Sequence, residues 1–231
     1  MSIYAIGDLH LSGMSPKPMD IFGGHWSDHW IKIRENWLST VEEGDLVLIP
    51  GDLSWAMKLS EAAVDLEQVC SLPGNKIILK GNHDYWWSSL SQVNSLLSNE
   101  TYALQNNSFI FGGYVIAGSR GWTCPCSNQY NSEDDEKLYI REAGRLEYSL
   151  KQARKISPDS ELIGMIHFPP SDRLGTRTMF TDLFETYGAK TVVYGHLHAA
   201  SISGALSGCV RGVNYMLVSC DAAGFKLVKV V

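Results

Sequence analysis

The sequence is poor in cysteine, and what it has is badly placed for crosslinking. Cys70, Cys124, Cys126, Cys209 and Cys220 make an odd, scattered set of five, unlike the even frameworks of small secreted domains, so free thiols are expected. Cys124-Pro-Cys126 is the one pair close enough to act together, but a lone C-x-C lacks the second pair that a structural zinc knot requires. No apolar run reaches the roughly 18 residues that span a bilayer, and the start MSIYAIGDLH has neither the basic stretch nor the cleavage site of a secretory signal. A cytoplasmic protein with no membrane partner is expected. Positive charge is also in deficit: 19 Lys and Arg against 25 Asp and Glu give a net charge of −6. That balance argues against binding duplex nucleic acid through non-specific phosphate attraction. Internal repeats and low-complexity linkers are absent.

Apolar residues, by contrast, make up 45% of the 231, enough to bury a core without a disulfide or a structural metal. One domain over residues 1–231 is expected. The apolar residues fall in short runs rich in β-branched side chains, each stopping at a glycine or at a residue type that can hold a metal. Residues 3–6 precede Gly7-Asp8, 46–49 precede Gly51-Asp52, 77–79 precede Gly81-Asn82-His83-Asp84, 162–166 precede His167, and 191–194 precede Gly195-His196-Leu197-His198. Continuous runs of this length read as strands buried on both faces. Residues 27–40, 60–72, 88–98 and 178–187 read as helices between them, with Trp30, Ile33, Trp37 and Leu38 as the apolar face of the first. Such alternation implies parallel pairing, with ligands gathering beyond the carboxyl ends of the strands. Residues 101–120, with Gly112-Gly113 as a hairpin turn, and residues 201–231 are punctuated by glycine and read as antiparallel. After a polar loop over 124–131, a charged amphipathic helix is expected over 132–156, with Leu138, Ile140, Leu146 and Leu150 inside. Two mixed sheets with helices outside both account for this α/β pattern.

Seven residues stand within four positions of an expected strand end: Asp8, His10, Asp52, Asn82, His167, His196 and His198. Any one of them is ordinarily a cap or a turn former; seven together are not independent accidents. Two carboxylates, one amide carbonyl and four imidazoles, with no thiolate, suit Mn, Fe, Zn, Co or Ni rather than Ca or a cysteine-zinc knot. One such ion takes about four to six ligands including water. Two ions about 3.5 Å apart, sharing one carboxylate, use all seven donors and leave positions for a substrate and a bridging hydroxide.

These blocks resemble the calcineurin-like metallophosphoesterases. Asp8-Leu9-His10, Gly51-Asp52, Gly81-Asn82-His83-Asp84, His167 and Gly195-His196-Leu197-His198 match the family's motifs in order and span nearly the whole chain. The resemblance implies a four-layer αββα sandwich. It implies one metal held by Asp8, His10, Asp52 and His198 and a second held by Asp52, Asn82, His167 and His196, with Asp52 as the bridge. It gives His83 a place beside the scissile phosphate and Asp84 the task of holding the His83 ring, so that a cationic imidazole assists the departing oxygen.

Arg120, Arg173 and Arg177 are candidates to reach a phosphate oxygen with a guanidinium fork, against the alternative of solvated loop arginines. Trp55, Trp86 and Trp87 are candidates to line the mouth and stack on a flat leaving group, with core packing as the alternative. His25 and His29, four apart in the stretch after the first motif, are weaker candidates. The expected activity is metal-dependent hydrolysis of phosphate mono- or diesters by in-line attack of the bridging hydroxide, without a covalent enzyme intermediate. Two divalent or trivalent transition-metal ions are the expected cofactors, and a small phosphorylated metabolite or nucleotide is the expected substrate. A non-catalytic interaction scaffold and a nuclease acting on DNA or RNA are the rivals; the complete ligand set speaks against the first and the acidic balance against the second. Substrate recognition is expected in residues 124–156, which the shared motifs do not cover.

Overall fold

The apolar runs alternate between two interiors, and this alternation sets the architecture. The computed structural model describes residues 1–14, 16–98 and 100–231. In chain order the strands are β1 (Ile3–Ala5), β2 (Leu46–Ile49), β3 (Asn75–Leu79), β4 (Thr101–Leu104), β5 (Ser108–Phe111), β6 (Tyr114–Ser119), β7 (Glu161–Ile166), β8 (Ala189–Tyr194), β9 (Gly208–Val210), β10 (Val213–Leu217) and β11 (Val228–Lys229). The helices are α1 (His29–Thr40), α2 (Leu59–Cys70), α3 (Leu90–Asn94), α4 (Ser132–Ile156) and α5 (Met179–Thr186). One sheet has the order β11-β1-β2-β3-β4 and the other β5-β6-β7-β8-β10-β9.

Successive residues of a strand point to opposite faces, and each face meets a different partner. Leu46 and Leu48 of β2 join Ile3, Ala5, Ile77, Ile116, Ile163, Met165 and Val193 in a core between the two sheets. Val47 and Ile49 of the same strand turn outward, against Ile33 and Trp37 of α1 and Leu66 and Val69 of α2. On the far side, Leu162, Ile166, Val192 and Tyr194 pack against Leu146 and Leu150 of α4 and Phe180 and Phe184 of α5. The result is the four-layer αββα sandwich. Among the described residues no helix is long and apolar enough to cross a membrane.

The antiparallel blocks differ in detail from the sequence reading. β4 pairs parallel with β3, β6 parallel with β7, and β10 parallel with β8. Among the described residues antiparallel pairing is confined to β5 on β6, β9 on β10 and β11 on β1, so three of the four sheet edges are antiparallel and the fourth, β4, is parallel. Two-residue turns at Gly112-Gly113 and Arg211-Gly212 allow only a return beside the preceding strand. Residues 199–204 form a 3-10 turn rather than a strand. Helix faces also shift: Leu38 and Ile140 are exposed, and α4 buries Tyr139, Glu142, Ala143, Leu146, Ser149, Leu150 and Ala153 at three- and four-residue steps.

α4 is tied to the second sheet by a polar residue as well as by packing. The buried Ser149 hydroxyl donates to the Asn107 carbonyl at 2.6 Å and accepts the Gly118 N–H at 2.9 Å. Ser149→Ala leaves both backbone groups without their partner and is expected to cost about 1–3 kcal/mol, read as a lower urea midpoint with an unchanged slope.

Candidate metal centre

The seven candidate ligands follow five strands. Asp8 and His10 follow β1, Asp52 follows β2, Asn82 follows β3, His167 follows β7, and His196 and His198 follow β8. β1, β2 and β3 are neighbours in one sheet, and β7 and β8 are neighbours in the other. Donor atoms of Asp8, His10 and His198 lie within 4.8 Å of one another, as do those of Asp8, Asp52 and His167. Asn82 Oδ1 joins the second group, 2.6 Å from His167 Nε2 and 2.8 Å from His196 Nδ1. Asp8 is common to these two groups, and Asp52 belongs to the second. Asp52 Oδ2 lies 3.5 Å from His167 Nε2, while its Oδ1 accepts the His83 N–H at 2.7 Å.

Outer contacts decide which ring nitrogen faces inward. His167 Nδ1 lies 2.9 Å from the Pro50 carbonyl, an acceptor only, so Nδ1 carries the proton. Nε2 of the neutral ring is then a bare lone pair among the oxygens of Asn82 and Asp52. His198 shares the orientation: Nδ1 donates to Asp221 Oδ1 at 2.8 Å, and Nε2, which carries a proton in the metal-free chain, faces Asp8 Oδ1 at 3.3 Å and His10 Nε2 at 3.4 Å. Acceptors crowded to these distances call for a cation between them, and a mixed nitrogen and oxygen set of this kind fits a first-row transition metal. Among the described residues His10 Nδ1 is buried with no hydrogen-bond partner.

The backbone is bent to reach this arrangement. Asp8, His10, Asp52 and His196 all have left-handed φ, of 59°, 47°, 52° and 74°, a conformation uncommon outside glycine and concentrated at functional sites. Two glycines let the carboxylates approach closely. A Cβ on Gly81 would stand 2.1 Å from Asp52 Oδ1, and one on Gly195 would stand 2.3 Å from Asp8 Oδ2.

Charge is distributed unevenly across the site. Burial disfavours a charged His198, yet its hydrogen bonds to Asp221 and Asp8 prevail and hold it up at about 10. Burial, reinforced by His167, pushes His196 down to about 3, and burial carries His10 well below the ordinary imidazole range. Burial raises Asp52, helped by the neighbouring Asp84 and Asp8 carboxylates. Asp8 resists burial because His198 bonds to it, and it stays below the usual carboxylate range.

The sequence model of the calcineurin-like phosphoesterases matches residues 1–200. The chain belongs to this family. No match is found among curated proteins. Solved structures share the fold over nearly their whole length. Phosphopantetheinyl hydrolase from Mycobacterium tuberculosis is 14% identical, with a TM-score of 0.59 over 100% of this chain and 95% of that one. TT1561 of Thermus thermophilus is 15% identical, with a TM-score of 0.59 over 98% and 96%. AQ665 of Aquifex aeolicus, a protein of unknown function, is 14% identical, with a TM-score of 0.52 over 99% and 95%. At these identities the likeness is one of fold.

Several other side chains of this calcineurin-like phosphoesterase lie elsewhere than the sequence reading puts them. Asp84 does not hold the His83 ring. It is fully buried and accepts the backbone N–H of Asp52, Leu53, Ser54 and Gly81 at 2.8 to 3.1 Å, together with Trp86 Nε1 at 3.0 Å. Five donors use up its two oxygens, so it braces the turn that carries Asp52. His83 instead packs its ring 4.4 Å from Trp55, and burial, with His167 nearby, lowers its basicity. Trp86 and Trp87 are core residues, 2% and 5% exposed. Trp55 is stacked 4.8 Å from His10 and covered by Lys17 Nζ at 4.7 Å.

Arg120 pairs with the buried Glu142 at 3.5 Å and lies over Trp122. Arg177 is taken up by Asp182 and Glu185 of α5. Arg173 lines a cavity of about 480 Å³ that begins at His196 and Phe168 and is walled by residues 123–124, 126–129 and 171–174. His29 bonds the Leu9 carbonyl at 3.0 Å, and Trp26 stands between His29 and His198. Asp221 is the residue that strand-end reasoning passed over. It follows β10, the neighbour of β8, and the apolar run over 215–218 just before it is the available signal.

Asp84→Asn is expected to lose about 2–4 kcal/mol in urea unfolding, since its amide group meets backbone N–H donors, whereas Asp52→Asn without metal is expected to keep its stability or gain, because it relieves buried like charge. Asp221→Ala is expected to weaken metal binding about 10- to 100-fold, measured by competition with a chelating dye. At pH 7 His198 is protonated, so metal uptake is expected to release a proton and to tighten as pH rises toward about 10; calorimetry in buffers of different ionisation enthalpy checks this.

Proposed function

We propose that this chain is a phosphoester hydrolase working with two transition-metal ions drawn from Mn, Fe, Zn, Co or Ni. The observation that carries the reading is the meeting of bare acceptor atoms from five strand ends, with His167 and His198 fixed by Pro50 and Asp221 so that Nε2 faces the centre. Asp8, His10 and His198 would hold one ion, and Asn82, His167 and His196 the other, with Asp52 reaching both. When bound, such ions acidify a water and offset the charge gathering at phosphorus.

The chain's own groups supply the rest. Hydrolysis transfers the phosphoryl group to water and breaks the ester P–O bond, and the departing oxygen needs a hydrogen-bond donor. His83 stands at the mouth beside Trp55 and His10. Its lowered basicity makes it a neutral imidazole near pH 7, whose N–H stabilises the departing oxygen without competing for a metal. The adjoining cavity of about 480 Å³ would receive the leaving group, a volume suited to a small molecule. Its walls carry hydroxyl and amide groups from Thr123, Ser127, Asn128, Gln129, Ser171 and Ser201. That lining favours a polar leaving group such as a sugar, nucleoside or other hydroxylated metabolite.

Elemental analysis after reconstitution is expected to give two equivalents of metal per chain, and Asp52→Asn to lose metal and activity together. His83→Ala is expected to keep both ions while kcat falls about 10²- to 10⁴-fold on phosphate esters with alkoxide leaving groups. A variant that empties a metal site would refute the role given to His83. A hydrolysis screen over monoesters, linear diesters and cyclic nucleotides with manganese decides the ester class.

A further inference from the structure

The carboxyl edge of the two sheets holds a second concavity, one strand along from the candidate metal ligands. Its volume is about 210 Å³, and its lining includes Lys80 beyond β3, Arg120 beyond β6, and Arg141, Glu142 and Arg145 of α4. Four cations and one anion thus line one small cavity, in a chain whose net charge is −6. Solvated surface cations spread apart, because like charges repel most where water is excluded. These converge.

Glu142 organises the cluster without neutralising it. It is 1% exposed, and its Oε1 alone receives Arg145 Nη1 at 2.7 Å, Arg120 Nη2 at 3.5 Å and Arg141 Nη2 at 3.7 Å. One carboxylate oxygen therefore gathers three guanidinium groups and leaves an excess of positive charge in a confined space, where a cleft concentrates the field. Arg120 Nη2 reaches Glu142 while its Nε is buried with no hydrogen-bond partner among the described residues, so the guanidinium is only partly satisfied by the protein. The fixed forks of guanidinium match the oxygens of a tetrahedral oxyanion, and the volume suits a small one.

The geometry points to a binding site for a small free oxyanion, inorganic phosphate in the first instance, in the cavity between Lys80, Arg120, Arg141 and Arg145. The site is distinct from the metal centre yet joined to it by backbone. The Arg120 carbonyl accepts the N–H of His167 at 3.0 Å and of Phe168 at 3.1 Å, and Lys80 directly precedes Gly81-Asn82.

Isothermal titration of inorganic phosphate into the full chain, after removal of metal with a chelator, reads this cavity apart from the metal centre. Saturable binding near one equivalent is expected, weakened at least tenfold in the double variant Arg141→Gln with Arg145→Gln and unchanged in His10→Ala. Sodium chloride at the same ionic strength is expected to compete far less than phosphate. The site is overturned if the wild-type chain shows no saturable binding, if the double variant binds equally well, if His10→Ala abolishes binding, or if chloride competes as well as phosphate does. A measurement on the unaltered chain guards against a variant that fails to fold. The Arg120 Nε–H resonance is expected to shift as phosphate is added, and a resonance that stays in place would rule the site out.

Discussion

Lone pairs from five strand ends are pressed together at the carboxyl edge of this sandwich, and the surroundings keep them there. Neutral imidazole nitrogens and carboxylate or amide oxygens repel at 2.6 to 3.5 Å unless a cation stands between them. His198 shows the consequence: with Asp8 and Asp221 on either side, it keeps a proton up to about 10. The proton fills a gap that a metal ion would fill better. A folded chain that holds such an arrangement gives up stability locally for the ability to bind.

The restraint comes from outside the cluster. Asp84 gathers four backbone N–H groups around the turn that bears Asp52, Pro50 and Asp221 fix the rings of His167 and His198, and Gly81 and Gly195 leave room where a Cβ would strike a carboxylate. Left-handed backbone at four candidate ligands is tolerated because the strands behind them are buried on both faces and cannot yield. The three cores therefore support the site mechanically.

The carboxyl edge is a shared resource. Parallel strands of both sheets end there, so polar residues from distant parts of the chain meet along one line. The candidate metal ligands, the larger cavity beside His196 and the basic cavity around Glu142 occupy successive stretches of it. α4 contributes to this edge through Glu142 and its neighbouring arginines, and Ser149 pins the helix to β6.

The sequence by itself determined the layer order, the family and the strand ends at which the candidate ligands stand. Continuous apolar runs can only be strands buried twice over, and the polar residues that interrupt them must lie where those strands stop. It did not determine edge pairing, because a glycine turn says that a strand returns and not which neighbour it finds, as β4, β6 and β10 show. Nor could it assign Asp84, Trp86 or Arg120, whose neighbourhood along the chain suggested the mouth of the site. The partners of Asp84 and Arg120, the 52–54 turn and Glu142, come from remote segments, and Trp86 is drawn inward by its bond to that buried Asp84. A hydrogen bond or ion pair is decided within about 3 or 4 Å in space, and that separation exists only once the chain has folded.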